Sequence, residues 1–426
     1  MRKSILFLLG ILIFCNLVMA KTEKKRVYSI SELVDMAIKS NLSVKMAKDD
    51  INKSNSQVKQ AWSALIPDIS VSQTNIKMNN FMGFGVQYGN GWSLNIAQPL
   101  YTGGKIESAY KISLLGKKLS NDSFENEKQQ ITYNVITNAI NILKLEKLVS
   151  VAEKSLKLIE EHKKIAIANL NVGIAVKNDV LRVEVREATV KSQLTTNRAN
   201  FEKAKKSLAF LLNYSLNGDF SIKEFDNSSE NISCDIDKLF KTAIKFRPDI
   251  KILNKQLEIA KRNIRIAYAD RFPTVSAFAS KSMGENISTS HQSWQIGLKA
   301  DLTLIDGGYI SGKINEKKAE YEKIKKKLAL LEDNIKLQLK MATLDLESSS
   351  SNIDVAKIAV EQALENLRLT ENRFKSGTVS SINVLDDEVA LTEARTRYFT
   401  SLYDYKLAEA KLYLEQGRIE ELTKLL

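Results

Sequence analysis

The side chains that usually carry chemistry are few in this chain and do not converge. There are 2 histidines and 2 cysteines in 426 residues. His162 follows Glu160 and Glu161, and His291 stands far from it. Neither has the paired Cys, His or acidic spacing that holds a metal ion. Flanked by glutamates on an expected helix, His162 is predicted to lie at the surface, and His291 in a loop or at a strand start. Gly103-Gly104-Lys105 lacks the spacing of a phosphate-binding loop, and no nucleophile motif appears. No enzyme activity, cofactor or metal is therefore expected. The acidic pair Asp386-Asp387 lies just inside an expected helix start, where a solvated acid favours the helix dipole.

What the residues do specify is architecture. The chain has 4 Pro and 17 Gly against 27% charged and 44% hydrophobic residues. The prolines are Pro67, Pro99, Pro248 and Pro273, so nothing interrupts a helix between 100 and 247 or after 273. The N-terminus is an export signal. Arg2 and Lys3 form its basic region, residues 5–14 its apolar region, and Ala20 its cleavage point. Cys15 would suit lipid attachment only behind a small residue, and Phe14 precedes it. Cleavage leaves Cys234 alone, which precludes an internal disulfide. The net charge of +13 falls to +11 without Arg2 and Lys3, and it is spread among many acids. That distribution describes solvated helix faces and not a nucleic-acid surface.

The mature chain repeats itself. Residues 32–39 (ELVDMAIK) fall on 238–245 (KLFKTAIK) at a shift of 206. Gly103-Gly104 fall on Gly307-Gly308, and 169–181 on 373–385, at a shift of 204. Each copy is expected to hold a helix (30–65, 236–271), an extended hairpin (68–101, 274–305), a very long helix (105–171, 309–375) and a second long helix (178–212, 381–416). Residues 213–234 read as a connector, 81–90 and 284–292 as hairpin loops, and 417–426 as a tail.

Two rhythms distinguish the parts. In 92–100, Trp92, Leu94 and Ile96 alternate with Ser93, Asn95 and Ala97. In 294–304, Trp294, Ile296, Leu298 and Ala300 alternate with Gln295, Gly297, Lys299 and Asp301. Such strands have one apolar and one polar face. Tyr88, Trp92, Tyr101, Phe272, Trp294 and Tyr309 lie near their ends, as interfacial aromatics do. A sheet in lipid must close, and four strands per chain fall short of the usual minimum of about eight. Three chains would supply twelve. The long helices instead step by four and three. One seam runs through Ile131, Val135, Asn138, Ile142, Leu145, Val149, Ala152, Leu156 and Ile159. The other runs through Ile335, Leu339, Ala342, Leu346, Ser349, Ile353, Ala356, Val360, Ala363 and Leu367. A rod about 100 Å long follows from 1.5 Å per residue. An exported coiled-coil scaffold without a conduit would explain these seams equally well, but not the strands.

In this order the parts resemble the outer-membrane efflux proteins, the TolC family, over essentially the whole mature chain. The likeness rests on 33–41 (LVDMAIKSN), 99–105 (PLYTGGK), 304–310 (LIDGGYI), 171–181 (NVGIAVKNDVL) and above all 373–388 (RFKSGTVSSINVLDDE). It implies a mainly helical chain, with a duplicated repeat of coiled-coil α-barrel helices and four strands. A homotrimer would complete a 12-stranded β-barrel in the outer membrane of a Gram-negative bacterium, with the helices extending into the periplasm. The implied partners are a periplasmic adaptor, an inner-membrane pump of RND or ABC type, and outer-membrane lipid. No nucleic acid is implied. The cargo would be drugs, metals, small molecules or unfolded proteins.

The resemblance also assigns residues. Asp179, Asn383, Asp386 and Asp387 match the periplasmic gate. Asn383 stands where the family has an acid, and Val379 where it has an arginine that latches the entrance. Gly173, Gly377 and Thr378 match the hairpin tips that meet the adaptor. Gly103, Gly104, Gly307 and Gly308 match the strand-to-helix junctions, where glycine tolerates the turn.

Overall fold

The computed structural model describes residues 26–79, 86–173, 175–215, 220–225, 235–286 and 289–425. The expected signal peptide, Cys15 and Cys234 lie outside them. In chain order the elements are β1 (Arg26–Tyr28), α1 (Ile30–Ser40), α2 (Leu42–Ser63), β2 (Asp68–Asn79), β3 (Val86–Tyr101), α3 (Lys105–Asn171), α4 (Lys177–Leu211), β4 (Phe220–Ile222), α5 (Ile236–Phe246), α6 (Pro248–Ala269), β5 (Thr274–Asn286), β6 (Thr289–Asp301), α7 (Tyr309–Lys375), α8 (Ser381–Glu415) and α9 (Ile419–Leu425).

Repeat symmetry is strict in the helices. α1 and α5 each have 11 residues, α2 and α6 have 22, α3 and α7 have 67, and α4 and α8 have 35. Both expected seams are buried or half-buried along α3 and α7. A seven-residue apolar repeat keeps one stripe facing the neighbouring helix.

Several expectations need correction. The single helices at 30–65 and 236–271 are each broken in two. Asn41 takes an extended backbone (φ −61°, ψ 134°) and caps α2 by accepting from the Ser43 N–H at 2.8 Å. Arg247 is likewise extended (φ −62°, ψ 125°), because a residue before proline is driven out of the helical region. Of the expected loops 81–90 and 284–292, residues 86–90 are strand, since β3 begins at Val86, and 284–286 and 289–292 belong to β5 and β6; 81–85 and 287–288 lie outside the described residues. Backbone pairing carries the ladder past the apolar band into polar and glycine residues. The second hairpin is also shorter than expected at its far end, where β6 stops at Asp301.

The segment 213–234 is more than a connector, because β4 pairs in parallel with β1, Arg26 opposite Phe220. The expected tail contains α9, whose Ile419 and Leu422 are buried in the main core. That core gathers Ile30, Leu33, Val135, Ile136, Leu143, Leu208, Phe220 and Ile419 from α1, α3, α4, β4 and α9. Arg247 ties the α5–α6 break to the end of α8, donating from Nη1 to Glu415 Oε2 at 2.5 Å, and donates from Nη2 to Asp249 Oδ2 at 2.7 Å.

The long strands form one antiparallel sheet in the order β2-β3-β5-β6. Asp68 pairs with Ala97, and Thr274 with Asp301. The two halves therefore keep the shifts of 206 and 204, and their length difference lies beyond the common ladder, towards the hairpin ends.

Candidate functional site

Three features could make a conduit: the outer face of the sheet, the strand-to-helix junctions, and the far tips of the helical hairpins. The registers place Ile69, Val71, Trp92, Leu94, Ile96, Ala277, Ala279, Met283, Trp294, Ile296 and Leu298 on one face. Trp294, Ile296 and Leu298 are 76%, 73% and 71% exposed, although a soluble protein would cover them. The other face carries Ser70, Ser72, Ser93, Asn95, Ser280, Ser282 and Gln295. Ser72 and Ser93 share a hydroxyl hydrogen bond of 2.7 Å across it. From Val275 to Met283 a strand runs about 27 Å, or about 21 Å of height at the usual tilt, close to the apolar band of a membrane barrel. Within this stretch the face carries one charge, Lys281 opposite Trp294, near the band's end, where a lysine can reach polar headgroups. The register sets Lys77 and Glu285 on the same face further towards the hairpin ends. Among the described residues β2 pairs only with β3 and β6 only with β5, so each leaves one edge open. Open edges do not survive in hydrocarbon.

At the junctions, Gly103 (φ 63°), Gly104 (φ 82°), Gly307 (φ 61°) and Gly308 (φ 91°) are all left-handed, which L side chains resist. Their surroundings differ. A Cβ on Gly103 would lie 2.8 Å from the Ala269 carbonyl oxygen at the end of α6, whereas one on Gly307 would meet nothing. Asp306 anchors the start of α7, accepting from the N–H groups of Gly308 (2.9 Å) and Ile310 (2.6 Å). Those amides, first that of Ile310, hold its carboxyl below the usual range. Thr102 makes the corresponding contact in the first copy, accepting from the Ile106 N–H at 3.4 Å.

At the tips, Gly173 (φ 79°) and Gly377 (φ 75°) end α3 and α7. The second turn is closed by N–H donation from Gly377 to Phe374 O and from Thr378 to Arg373 O, both at 2.9 Å. The Thr378 hydroxyl also donates to Arg373 O. Asp179 and Asn383 occupy the same place in the two copies and do the same local work. Asp179 accepts from the Val176 N–H at 3.3 Å, and Asn383 from the Ser380 N–H at 3.3 Å. An uncharged amide therefore serves the cap where an acid would. Asp386 is exposed beside the buried Val384 and Leu385, while Asp387 accepts from Asn366 Nδ2 at 2.6 Å. Leu385 packs with Ile159, Ala166, Val180 and Val183, which draws the start of α8 against the first hairpin.

His162 corrects an expectation. Its side chain is only 14% exposed and its Nε2 lies 2.8 Å from Oε1 of Glu388, which is 4% exposed. His162 stands three residues after the buried Ile159 and four before the buried Ala166, so helical spacing turns it inward. That spacing was the available signal, and the flanking glutamates masked it. The hydrogen bond to Glu388 raises the imidazole pKa above its usual range, against the opposing effect of burial. Glu388 itself had no sequence signal, because its partner lies 226 positions away. His291 pairs with Gly284 near the start of β6. No group of His, Cys, Asp and Glu among the described residues could hold a metal ion. Nor does any described helix have the length and hydropathy to cross a membrane.

The family described as outer membrane efflux protein matches the chain twice, over residues 33–214 and 239–418. The chain belongs to that family. It is 22% identical to nodulation protein T of Rhizobium leguminosarum bv. trifolii, covering 90% of this chain and 83% of that one. It is 19% identical to outer membrane protein TolC of Escherichia coli (strain K12), covering 92% and 83%. The match to outer membrane efflux protein BepC of Brucella suis spans 70% of this chain and 65% of the relative, at 19% identity. In fold, it superposes on the Campylobacter jejuni CmeC outer membrane channel with a TM-score of 0.81 at 18% identity, covering 95% and 94%. For the open state of the Neisseria gonorrhoeae MtrE outer membrane channel the TM-score is 0.78 at 18% identity, covering 92% and 89%. As a member of this family the chain is an outer-membrane efflux channel, with its helices extending into the periplasm. The family is one of channel proteins, and its channels are trimeric and work with adaptors and inner-membrane pumps.

Proposed function

We propose that three copies of this chain close into a passive exit duct. Their sheets would form a 12-stranded barrel, and their helices a tube that receives cargo from an inner-membrane pump of RND or ABC type through a periplasmic adaptor. The observation that carries this reading is the four-stranded sheet with an exposed apolar face and two open edges. Lipid can cover the face, but only further strands can satisfy the edges. The polar face then lines the lumen. The pump supplies the energy, so its class sets the cargo, whether small molecule, metal or protein.

The tips fit the entrance. Gly173, Gly377 and Thr378 lie at the two hairpin ends, where an adaptor would dock. Three copies of Asp386, with Asp387 beside them, would form an acidic ring that attracts cations. Asn383 and Asp179 serve as helix caps, and with an amide at 383 the ring has one acidic tier in place of two. The test is reconstitution of the purified chain in a planar lipid bilayer. A trimeric mass with a steady ionic current that divalent cations block is expected, and Asp386→Asn should weaken that block. A monomer without current would overturn the proposal.

A further inference from the structure

The duplicated plan predicts a contact that a single chain cannot make. α3 packs against both α2 and α6, whereas α7, which packs against α8, α6 and α5, has no counterpart of the α3–α6 contact within the chain. The helical wall thus runs α2-α3-α6-α7 and leaves α2 and α7 as free flanks. The inner seam between α3 and α6 is held by an ion pair between Lys255 and Asp122. Nearer the sheet, Lys105 pairs with Asp270 at 3.1 Å, and Gly103 lies against Ala269.

Carrying that seam through the repeat, by 206 in α6 and 204 in α3, lands on the free flanks. Lys255 becomes Asp49 on α2, and Asp122 becomes Lys326 on α7. The charges are exchanged, so the pair keeps its attraction with opposite polarity. Ala269 becomes Ser63, and Gly103 becomes Gly307, which has open space where Gly103 has a neighbour. Asp49 and Lys326 are both exposed, and neither has a hydrogen bond or ion pair among the described residues. Met46, one turn before Asp49, is 61% exposed, and Leu330, one turn after Lys326, is 62% exposed. α3 and α6 run antiparallel, with Gly103 beside Ala269 and Asp122 beside Lys255, so the repeated seam places Met46 and Leu330 on the same side of the ion pair.

We infer that neighbouring subunits join through a charge-inverted copy of the inner seam, Asp49 of one copy pairing with Lys326 of the partner subunit. The inversion also sorts the two seams. If α2 of another copy replaced α6 against α3, Asp49 would face Asp122. If α7 met α6 through its free flank, Lys326 would face Lys255. Both errors bring like charges together, whereas both correct seams join opposite ones. The inference rests on the closed-ring reading proposed above.

The test uses the full-length chain extracted from its membrane in mild detergent, with the oligomer measured by native mass. Asp49→Lys and Lys326→Asp should each weaken the trimer, raising the monomer fraction after mild heating by about tenfold, because every swap acts at all three seams. The double swap should restore the wild-type level. A second measurement guards against misfolding. Asp49→Cys with Lys326→Cys, in a Cys234→Ser background, should give dimer and trimer bands with a short bismaleimide, and either cysteine alone should not. A trimeric wild type with inert single swaps, or with no cross-link, overturns the inference and leaves the duct reading standing. A monomeric wild type overturns both.

Discussion

Replacing His162 with alanine tests whether the buried contact between the two helical hairpins is held by charge. The change leaves Glu388, 4% exposed, without its one partner, since its other oxygen Oε2 already has none among the described residues. Removing one side of a buried ion pair costs about 3–5 kcal/mol. The partly exposed edge of His162 admits some water, which places the loss near the low end, about 3 kcal/mol. That corresponds to roughly a hundredfold rise in local opening. Hydrogen exchange of amides in 381–395 reads it directly, and protection there should fall by that factor while the core around Ile136 and Leu208 is unchanged. His162→Phe combined with Glu388→Leu removes both charges and should recover most of the loss, because a packed apolar pair can replace a buried ionic one. Acidity gives an independent check. The folded imidazole pKa is raised, so the pair's contribution is complete below about 6.5, the unfolded value. It is lost as pH rises through the higher folded value. Protection in 381–395 should therefore decline on going alkaline in the wild type and not in the doubly apolar variant. Unchanged exchange in His162→Ala, or a contact that tightens as pH rises, would refute the reasoning.

Two further outcomes follow from the sheet and its junctions. Gly103→Ala must hold a side chain at φ 63° with its Cβ 2.8 Å from the Ala269 carbonyl, whereas Gly307→Ala has φ 61° and open space. Each carries about 1–2 kcal/mol for the left-handed backbone, and Gly103→Ala the overlap in addition, so thermal unfolding of separated subunits should rank it the less stable. Ile296→Lys sets a charge in the middle of the exposed apolar face. A cost of about 2–4 kcal/mol per subunit should lower the outer-membrane fraction on density gradients, and Gln295→Lys on the opposite face should not.

The repeat, the long helices and the alternating strands were legible in the sequence because each is a local rhythm. A seven-residue apolar step and a two-residue alternation need no knowledge of the partner that covers them. The left-handed glycine pairs were legible for the same reason, as was the family likeness. The breaks at Asn41 and Arg247 were partly legible, since Pro248 forces the second and only the structure locates the first. The pairing of β1 with β4 and the docking of α9 could not be read, because short segments carry too little pattern to name a distant partner.

The candidate site divides along the same line. Sequence alone determined that Gly173 and Gly377 end long helices and that acids follow the second tip, since glycine conformation and charge belong to the residue itself. The tertiary structure alone decided that His162 meets Glu388, and that Gly103 is crowded while Gly307 is open. Those outcomes depend on which surfaces meet across some two hundred residues of chain. Burial turns such a meeting into a raised pKa or a steric limit, and burial is a property of the packed molecule that no local stretch of residues possesses.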